Sequence, residues 1–196
     1  LDNTILLNFF YPKNAMIWIA RIIELKLFQY KHILVPSTRL LKKFKKFHHS
    51  VIWLPPIIPE SYLINEEVKK DKFSFIGRAD PRKGLLEFLD LKRKFPEKSW
   101  YLSLIKIDRD FRESTLNKTL RNETVNWRDR KKYSHTQELN LIRELQETKV
   151  FFQTYQSLDS TVDLPLLLLE AQACGCVVIT KNIDKFYANE CCIILE

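Results

Sequence analysis

Residues 73–84, Phe-Ser-Phe-Ile-Gly-Arg-Ala-Asp-Pro-Arg-Lys-Gly, decide the fold that we expect for this chain. The stretch begins as a short apolar run suited to a buried strand, and it breaks at Gly77. An amphipathic run that opens at Lys83 and Gly84 predicts a helix directly afterwards. A helix N-terminus carries free N–H groups and about half a positive charge. Because Arg78 and Lys83 fall in the same turn, the stretch is suited to binding a diphosphate.

Glycine is scarce in this chain, which has three glycines in 196 residues, against an average of about 7%. Gly77 and Gly84 lie in the opening turn, and Gly175 lies near the end of the chain. We expect each of them to mark a place that cannot take a Cβ. The alternative is that the turn is an ordinary strand–helix connection that binds nothing.

Short apolar runs alternate with amphipathic runs along the chain, a pattern typical of βαβ units and a parallel sheet buried on both faces. The class is therefore α/β. Prolines at 55, 56 and 59 stiffen a connector, which predicts a domain boundary after residue 58. The predicted strands cover 4–9, 32–35, 51–54, 73–77, 100–107, 124–127, 150–154, 177–180 and 192–195, and the predicted helices cover 15–28, 38–47, 85–95, 137–147 and 164–173.

The charge balance favours an anionic partner. The chain has 32 basic and 24 acidic residues, for a net charge of +8, which suits phosphorylated ligands, anionic lipid surfaces or nucleic acid. The helix predicted over 38–47 has Ser37 or Thr38 as a possible N-cap. Its polar face is basic, so it could lie on an anionic membrane or be an ordinary solvated face. The lysines are Lys42, Lys43, Lys45 and Lys46, opposite an apolar face of Leu40, Leu41, Phe44 and Phe47.

The cysteines indicate a cytoplasmic protein. All four fall in apolar segments near the end, a placement that fits buried reduced thiols better than paired zinc ligands. The alternative location is the inner face of a membrane. The chain has neither an initiating Met nor a signal-peptide pattern and begins in mid-pattern, so we expect a fragment.

A second motif follows the strand predicted at 150–154. There YQSLDSTVDLP leads into LLLLEAQACGCVVIT, with Pro165 predicted at the first helical position and Asp163 as a possible cap. Glu170 is a lone carboxylate in an apolar helix, which is costly to bury without partners. Ribose hydroxyls would satisfy it, as would a backbone amide or an Arg. In an open parallel sheet, ligands bind outside the carboxyl ends of the strands, where both motifs are expected.

The two motifs, GRADPRKG and then LPLLLLEAQACGCVVIT, resemble the donor domain of the GT-B glycosyltransferases, whose pattern is GR…KG, an acidic pair and EAxAxGxPVI. The resemblance runs from about residue 32 to the end, because VPSTRLLKKF…VIWLPP is similar to the close of the acceptor domain in that family. It implies a Rossmann-like parallel sheet flanked by helices over 59–196, without the family's C-terminal helices. Residues 1–58 would then be a partial acceptor-side α/β domain.

The resemblance implies a retaining transferase that moves a sugar from a nucleotide-diphosphate sugar to a sugar, lipid or protein acceptor. The protein would hold no metal or other cofactor. Gly77 matches the glycine of GR, and Arg78 and Lys83 match the cations that hold the diphosphate and stabilise the leaving nucleotide. Glu170 matches the acid that holds the ribose.

The chain departs from this pattern at the first acid of the pair. That acid belongs eight positions before Glu170, where the chain has Val162. Asp163 stands next to it and is either a displaced sugar-side acid or the cap of the following helix. The sugar contacts and the catalytic competence that the resemblance implies therefore depend on whether Asp163 replaces this acid.

Two alternatives remain open. Asp108-Arg109-Asp110 follows an apolar run and has the D-x-D form that suits Mg²⁺ or Mn²⁺ in the metal-dependent GT-A glycosyltransferases. The other alternative is a basic, non-enzymatic module for nucleic acid or an anionic membrane. It draws on the net charge and on the basic run at 128–132, which Trp127 and Tyr133 flank. Trp127 itself is predicted at the end of a central strand, either near a nucleotide base or in the core.

Overall fold

A computed structural model describes residues 4–6, 32–63, 71–105, 115–128, 135–156, 165–181 and 190–195. Strands in these ranges form two parallel sheets, which confirms the predicted α/β class. The smaller sheet has the order β1-β2-β3, with β1 at Thr4–Leu6, β2 at His32–Val35 and β3 at Val51–Trp53. The helix predicted at 15–28 lies outside the described residues.

The larger sheet has six parallel strands in the order β6-β5-β4-β7-β8-β9. The chain enters this sheet in the middle, winds outward on one side through β5 and β6, and then returns to build the other side from β7. The switch point lies between β4 and β7, where such sheets bind ligands at their carboxyl ends. The strands are β4 (Lys72–Arg78), β5 (Ser99–Ile105), β6 (Asn126–Arg128), β7 (Thr148–Thr154), β8 (Val177–Lys181) and β9 (Cys192–Ile194).

Helices cover both faces of this sheet, and neighbouring residues of β4 and β7 face opposite helices. Phe75 and Phe152 pack with α2 (Leu85–Lys94), whose Phe88 ring centroid lies 5.6 Å from that of Phe75. The neighbouring residues Ile76 and Phe151 pack instead with α4 (His135–Gln146) and α5 (Leu166–Ala173). This two-sided burial explains why the strands read as apolar runs rather than as alternating patterns.

The remaining described helices are short. They are α1 (Thr38–Phe44), α3 (Thr115–Leu120) and the 3₁₀ turns Glu60–Tyr62 and Pro81–Lys83. None of the described helices is long and apolar enough to cross a membrane. The proline-rich segment after β3 forms no helix or strand up to residue 59. Tyr62 lies in the core of the six-stranded sheet, and the partly buried Ile58 packs against that core.

Three predictions about individual side chains need correction. Helix α1 ends at Phe44, and 3₁₀-type bonds close the next turn, so Phe47 is 43% exposed instead of completing the apolar face. Trp127 is 37% exposed on β6, which is an edge strand and not a central one. Cys174 and Cys176 are buried free thiols as expected, but Cys191 is exposed in the turn before β9. The N-cap at Ser37 is confirmed, since its Oγ accepts from Leu40 N at 3.2 Å.

Candidate functional site at the carboxyl ends of β4 and β7

The turn after β4 is fixed by a buried carboxylate. Asp80 is 5% exposed and caps the 3₁₀ turn, with its Oδ1 accepting from Arg82 N and Nε, each at 3.0 Å. Its Oδ2 accepts from Arg82 Nη2 at 2.7 Å. Burial alone raises the pKa of the Asp80 carboxyl, but the hydrogen bonds and charge of Arg82, with the charge of Lys83, outweigh it and lower the pKa. Asp80 and Arg82 therefore bind each other and hold the turn that carries Lys83.

Gly84 brings the start of α2 directly against the end of β7. It has φ +85°, and a Cβ there would lie 2.2 Å from Thr154 Oγ1 and 2.7 Å from both the backbone N and O of Thr154. No side chain fits in that space. Gly84 is also the N-cap of α2, so the helix begins at Leu85 and the free N–H groups of its first turn lie at the switch point.

The two predicted phosphate-binding cations act on each other at this edge. Arg78 is exposed at the last position of β4, and its positive charge lowers the pKa of Lys83. Burial has the largest effect, and together with Arg78 and Arg82, opposed by Asp80, it brings the Lys83 pKa down to about 8. Arg78 and Lys83 therefore lie in a region of excess positive charge, which favours an anionic ligand.

Three consecutive residues at the end of β7 complete the edge, and the sequence analysis did not identify them. Gln153 Nε2 donates to Ile76 O at 3.2 Å, and Tyr155 OH donates to Gln153 Oε1 at 2.6 Å. Lys83 Nζ lies 4.7 Å from the centroid of the Tyr155 ring. Thr154 is 2% exposed, and its Oγ1 has no hydrogen-bond partner in the described part of the chain. A glutamine within the apolar run VFFQT was the available signal, because a buried amide needs partners.

Gly77 makes room for a buried amide of β7. A Cβ on this residue would lie 2.8 Å from Gln153 Nε2, so the missing side chain makes room for the amide that ties β7 to β4. Its φ of +157° is also a conformation that residues with a side chain rarely adopt. Both glycines of the turn thus mark places where a Cβ does not fit, as the sequence predicted.

Glu170 lies on α5, the helix that follows β7. Burial, and secondarily the charge of Glu138 on α4, raises the pKa of its carboxyl. Among the described residues, no hydrogen bond or ion pair joins Glu170 to Arg78 or Lys83.

Pro165 is the N-cap of α5 and not its first helical residue, because its ψ of 125° is extended and the helix begins at Leu166. Four other residues of interest, Asp108, Asp110, Val162 and Asp163, lie outside the described residues.

Comparison with protein-family profiles and with curated proteins gives no match. Comparison with solved structures gives several matches, among them the following three chains. The pneumococcal O-GlcNAc transferase GtfA, in complex with UDP and GlcNAc, has a TM-score of 0.62 at 14% identity. Anabaena Alr3699/HepE, in complex with UDP and glucose, has a TM-score of 0.65 at 11% identity. A glycosyltransferase from Rickettsia africae ESF-5 has a TM-score of 0.62 at 12% identity.

The matches cover most of this chain but only part of the solved proteins. They include 92%, 92% and 98% of this chain and 37%, 52% and 56% of GtfA, HepE and the Rickettsia protein, respectively. At these identities the likeness concerns the fold. The chain has the parallel α/β fold of solved glycosyltransferase structures and spans about half of their length or less.

Proposed function

We propose that this chain forms the nucleotide-sugar-binding part of a GT-B-type glycosyltransferase, comprising residues 59–196 together with part of an acceptor-side domain at 1–58. The observation that carries the proposal is the meeting of Arg78, Lys83 and the N-terminus of α2 at the switch point of the sheet. This is the edge at which doubly wound sheets bind nucleotides. The complexes of GtfA and HepE with UDP support the same ligand class.

The chemistry of the site follows from where negative charge grows during sugar transfer. As the bond from the sugar to the diphosphate breaks, charge develops on the leaving phosphate oxygens, and cations already held nearby stabilise it. Arg78 and Lys83 are placed for this role. Since protein cations supply the positive charge, the proposed transfer is metal-independent, and the family pattern makes it retaining.

The two carboxylates complete the proposed donor site. Glu170, whose charged form is disfavoured by burial, would accept hydrogen bonds from the ribose hydroxyls. Asp163 stands next to the expected position of the first acid, and because Pro165 is the N-cap of α5, we assign Asp163 to the sugar side. The acceptor would be a sugar, lipid or protein in the cytoplasm or at the inner face of a membrane.

Single substitutions at the two cations test the proposal. Arg78→Ala and Lys83→Ala should each weaken nucleoside diphosphate binding by about 1.5–3 kcal/mol, the range for hydrogen bonds to charged groups. The measurement is calorimetric affinity for the best ligand from a thermal-shift panel of UDP, GDP, ADP and their sugars. Lys42→Ala removes an exposed cation on helix α1 and is the control. Equal losses in all three variants would show diffuse electrostatics and contradict a phosphate site.

Chelation separates this proposal from a metal-dependent site. Donor binding should be unchanged in EDTA, and Asp108→Ala should be nearly silent, because the diphosphate meets Arg78, Lys83 and a helix N-terminus. The affinity for the nucleotide sugar is measured with EDTA and with added Mn²⁺ for wild type and Asp108→Ala. Binding that needs Mn²⁺ and is abolished by Asp108→Ala would establish the metal-dependent alternative.

A further inference from the structure

The ring of Tyr155 lies against the ammonium group of Lys83. Tyr155 follows β7 directly and is 1% exposed, and Lys83 Nζ lies 4.7 Å from its ring centroid. A cation within about 6 Å of an aromatic face is attracted by the ring quadrupole, more strongly when the pair is desolvated. In the described ranges, the Lys83 ammonium makes no hydrogen bond and no ion pair, so the ring is its main contact there.

The position of the ring is itself fixed by both strands of the switch point. Tyr155 OH donates to Gln153 Oε1 at 2.6 Å on β7, and Gln153 Nε2 donates to Ile76 O at 3.2 Å on β4. Ile76 stands two residues before Arg78 at the end of β4. These hydrogen bonds therefore tie the ring, and through it Lys83, to β4, the strand that carries Arg78.

We propose that Tyr155 is a positioning residue for phosphate binding, whose ring holds Lys83 Nζ at the carboxyl ends of β4 and β7 so that it meets a diphosphate together with Arg78. This inference rests on the proposed function of the same edge. It assigns to Tyr155 a role that acts through Lys83 and not through direct contact with the ligand.

The charges around Lys83 make the role of the ring measurable. Burial, Arg78 and Arg82 all disfavour the charged lysine, and Asp80 favours it, which leaves the pKa at about 8. The ring also favours the charged form, because its attraction exists only for the ammonium ion. Removing the ring should therefore lower the pKa of Lys83, whereas removing only the hydroxyl, which keeps the ring but breaks its hydrogen bond to Gln153, should lower that pKa less.

The test uses three variants and two readouts. Tyr155→Leu removes the ring, Tyr155→Phe keeps it, and Tyr101→Leu removes a matched contact in which Lys72 Nζ lies 5.1 Å from the Tyr101 ring at the other end of β4. The titration of Lys83 is followed by its ¹³Cε resonance in the free protein, identified by its loss in Lys83→Arg. Affinity for UDP, GDP and ADP is measured at pH 7.

We expect Tyr155→Leu to lower the Lys83 midpoint by about 0.4–1.5 pH units, the range that follows from typical cation–π attractions. Its affinity for the best nucleoside diphosphate should fall about 3- to 30-fold. Tyr101→Leu should leave both quantities close to wild type. Tyr155→Phe keeps the ring but loses the hydrogen bond to Gln153, so its values should lie between those of wild type and Tyr155→Leu. Should Tyr155→Leu fail to fold, Tyr155→Met removes the ring while filling the space with a flexible apolar chain.

An unchanged midpoint or an unchanged affinity in the ringless variant overturns the inference. So does a further loss of affinity when Tyr155→Leu is added to Lys83→Ala, because a residue that acts through Lys83 has no effect once Lys83 is gone. A wild-type protein that binds none of the three nucleotides overturns the proposed function instead. In that case the Lys83 midpoint still decides whether the ring holds the lysine.

Discussion

Lys83 and Glu170 are both held where burial disfavours their charged forms. The pKa of Lys83 falls to about 8, whereas the pKa of Glu170 rises. For Lys83, the loss of folding stability is fully present below pH about 8 and is relieved as pH rises towards the ordinary value of 10.5. For Glu170, the loss is absent below the ordinary value of 4.5 and develops as pH rises through the raised pKa. Both groups therefore destabilise the free protein near neutral pH, where an anionic, hydroxyl-bearing ligand would compensate both.

Glu170→Gln should separate stability from binding. Without ligand, the variant should melt at a higher temperature than wild type, by a margin that grows as pH rises from 4.5, because the neutral amide avoids the burial of a charge. Nucleotide binding should weaken, since charge-assisted hydrogen bonds are roughly twice as strong as neutral ones. Melting curves across this pH range and affinities at pH 7 measure the two effects. Glu138→Gln is the matched control and should give a smaller margin, because burial affects the Glu170 pKa more than Glu138 does.

The difference in melting temperature between Glu170→Gln and wild type is expected to grow with pH, so a difference that shrinks as pH rises would contradict this expectation. It would mean that the ionised carboxylate stabilises the free protein.

At the scale of elements, the unit β4–turn–α2 could be predicted because its signals are local. The apolar run, the break at Gly77 and the helix start at Gly84 stand within twelve residues of one another. The contribution of β7 could not be predicted in the same way, since Gln153 and Ile76 are 77 positions apart. No local pattern states which distant residue a buried amide will bind.

The boundaries of the elements were less predictable than their existence. The short helix α3 was missed because its sequence, TLNKTL, has too few apolar residues to show a helical period. The 3₁₀ turn at Pro81–Lys83 was missed as well, because it depends on the buried Asp80–Arg82 pair. Pro165 was predicted one position too far into α5, because a fixed φ suits both the N-cap and the first helical residue.

The two glycines of the turn should differ sharply in their tolerance of a side chain. Gly84→Ala places a Cβ 2.7 Å from backbone atoms of Thr154 at a φ of +85°, and the φ alone costs about 1–2 kcal/mol. Gly77→Ala is also strained, at a φ of +157°, but its Cβ meets only the end of the Gln153 side chain, at 2.8 Å, and no backbone atom. We expect both variants to lower the melting temperature, and Gly84→Ala to lower it more.

Thr154→Ala should not rescue Gly84→Ala, because the colliding backbone N and O remain. Rescue would show that only the threonine side chain limits the approach of α2 to β7. Thermal unfolding of the three variants measures these differences.

At the scale of the whole molecule, the strand order accounts for the place of the site. Apolar runs predicted a sheet covered on both faces, and the core confirms it, with Phe75 and Ile76 packed on opposite sides. The order β6-β5-β4-β7-β8-β9 depends on which strands pair across long connections, and no single run of sequence states that pairing. Only the placement of β7 beside β4 brings Tyr155 to Lys83.

The strand order also predicts where a ligand protects the backbone from hydrogen exchange. A nucleoside diphosphate should slow exchange at Ala79–Gly84 and at the first turn of α2, whose N–H groups have no intrahelical acceptor. It should also slow exchange at Tyr155–Gln156, because Gln156 N donates to Arg82 O at 2.8 Å. Amides of α1 should be unaffected, although Lys42 on this helix and Lys45 at its C-cap are exposed. The measurement is exchange by mass spectrometry with and without nucleotide, and a single-stranded oligonucleotide is the comparison ligand. Binding driven by net charge alone would act on any basic surface and would weaken steeply with salt. If both ligands protect α1, and this protection is lost at high salt, the result favours the basic-module alternative over a nucleotide site at the switch point.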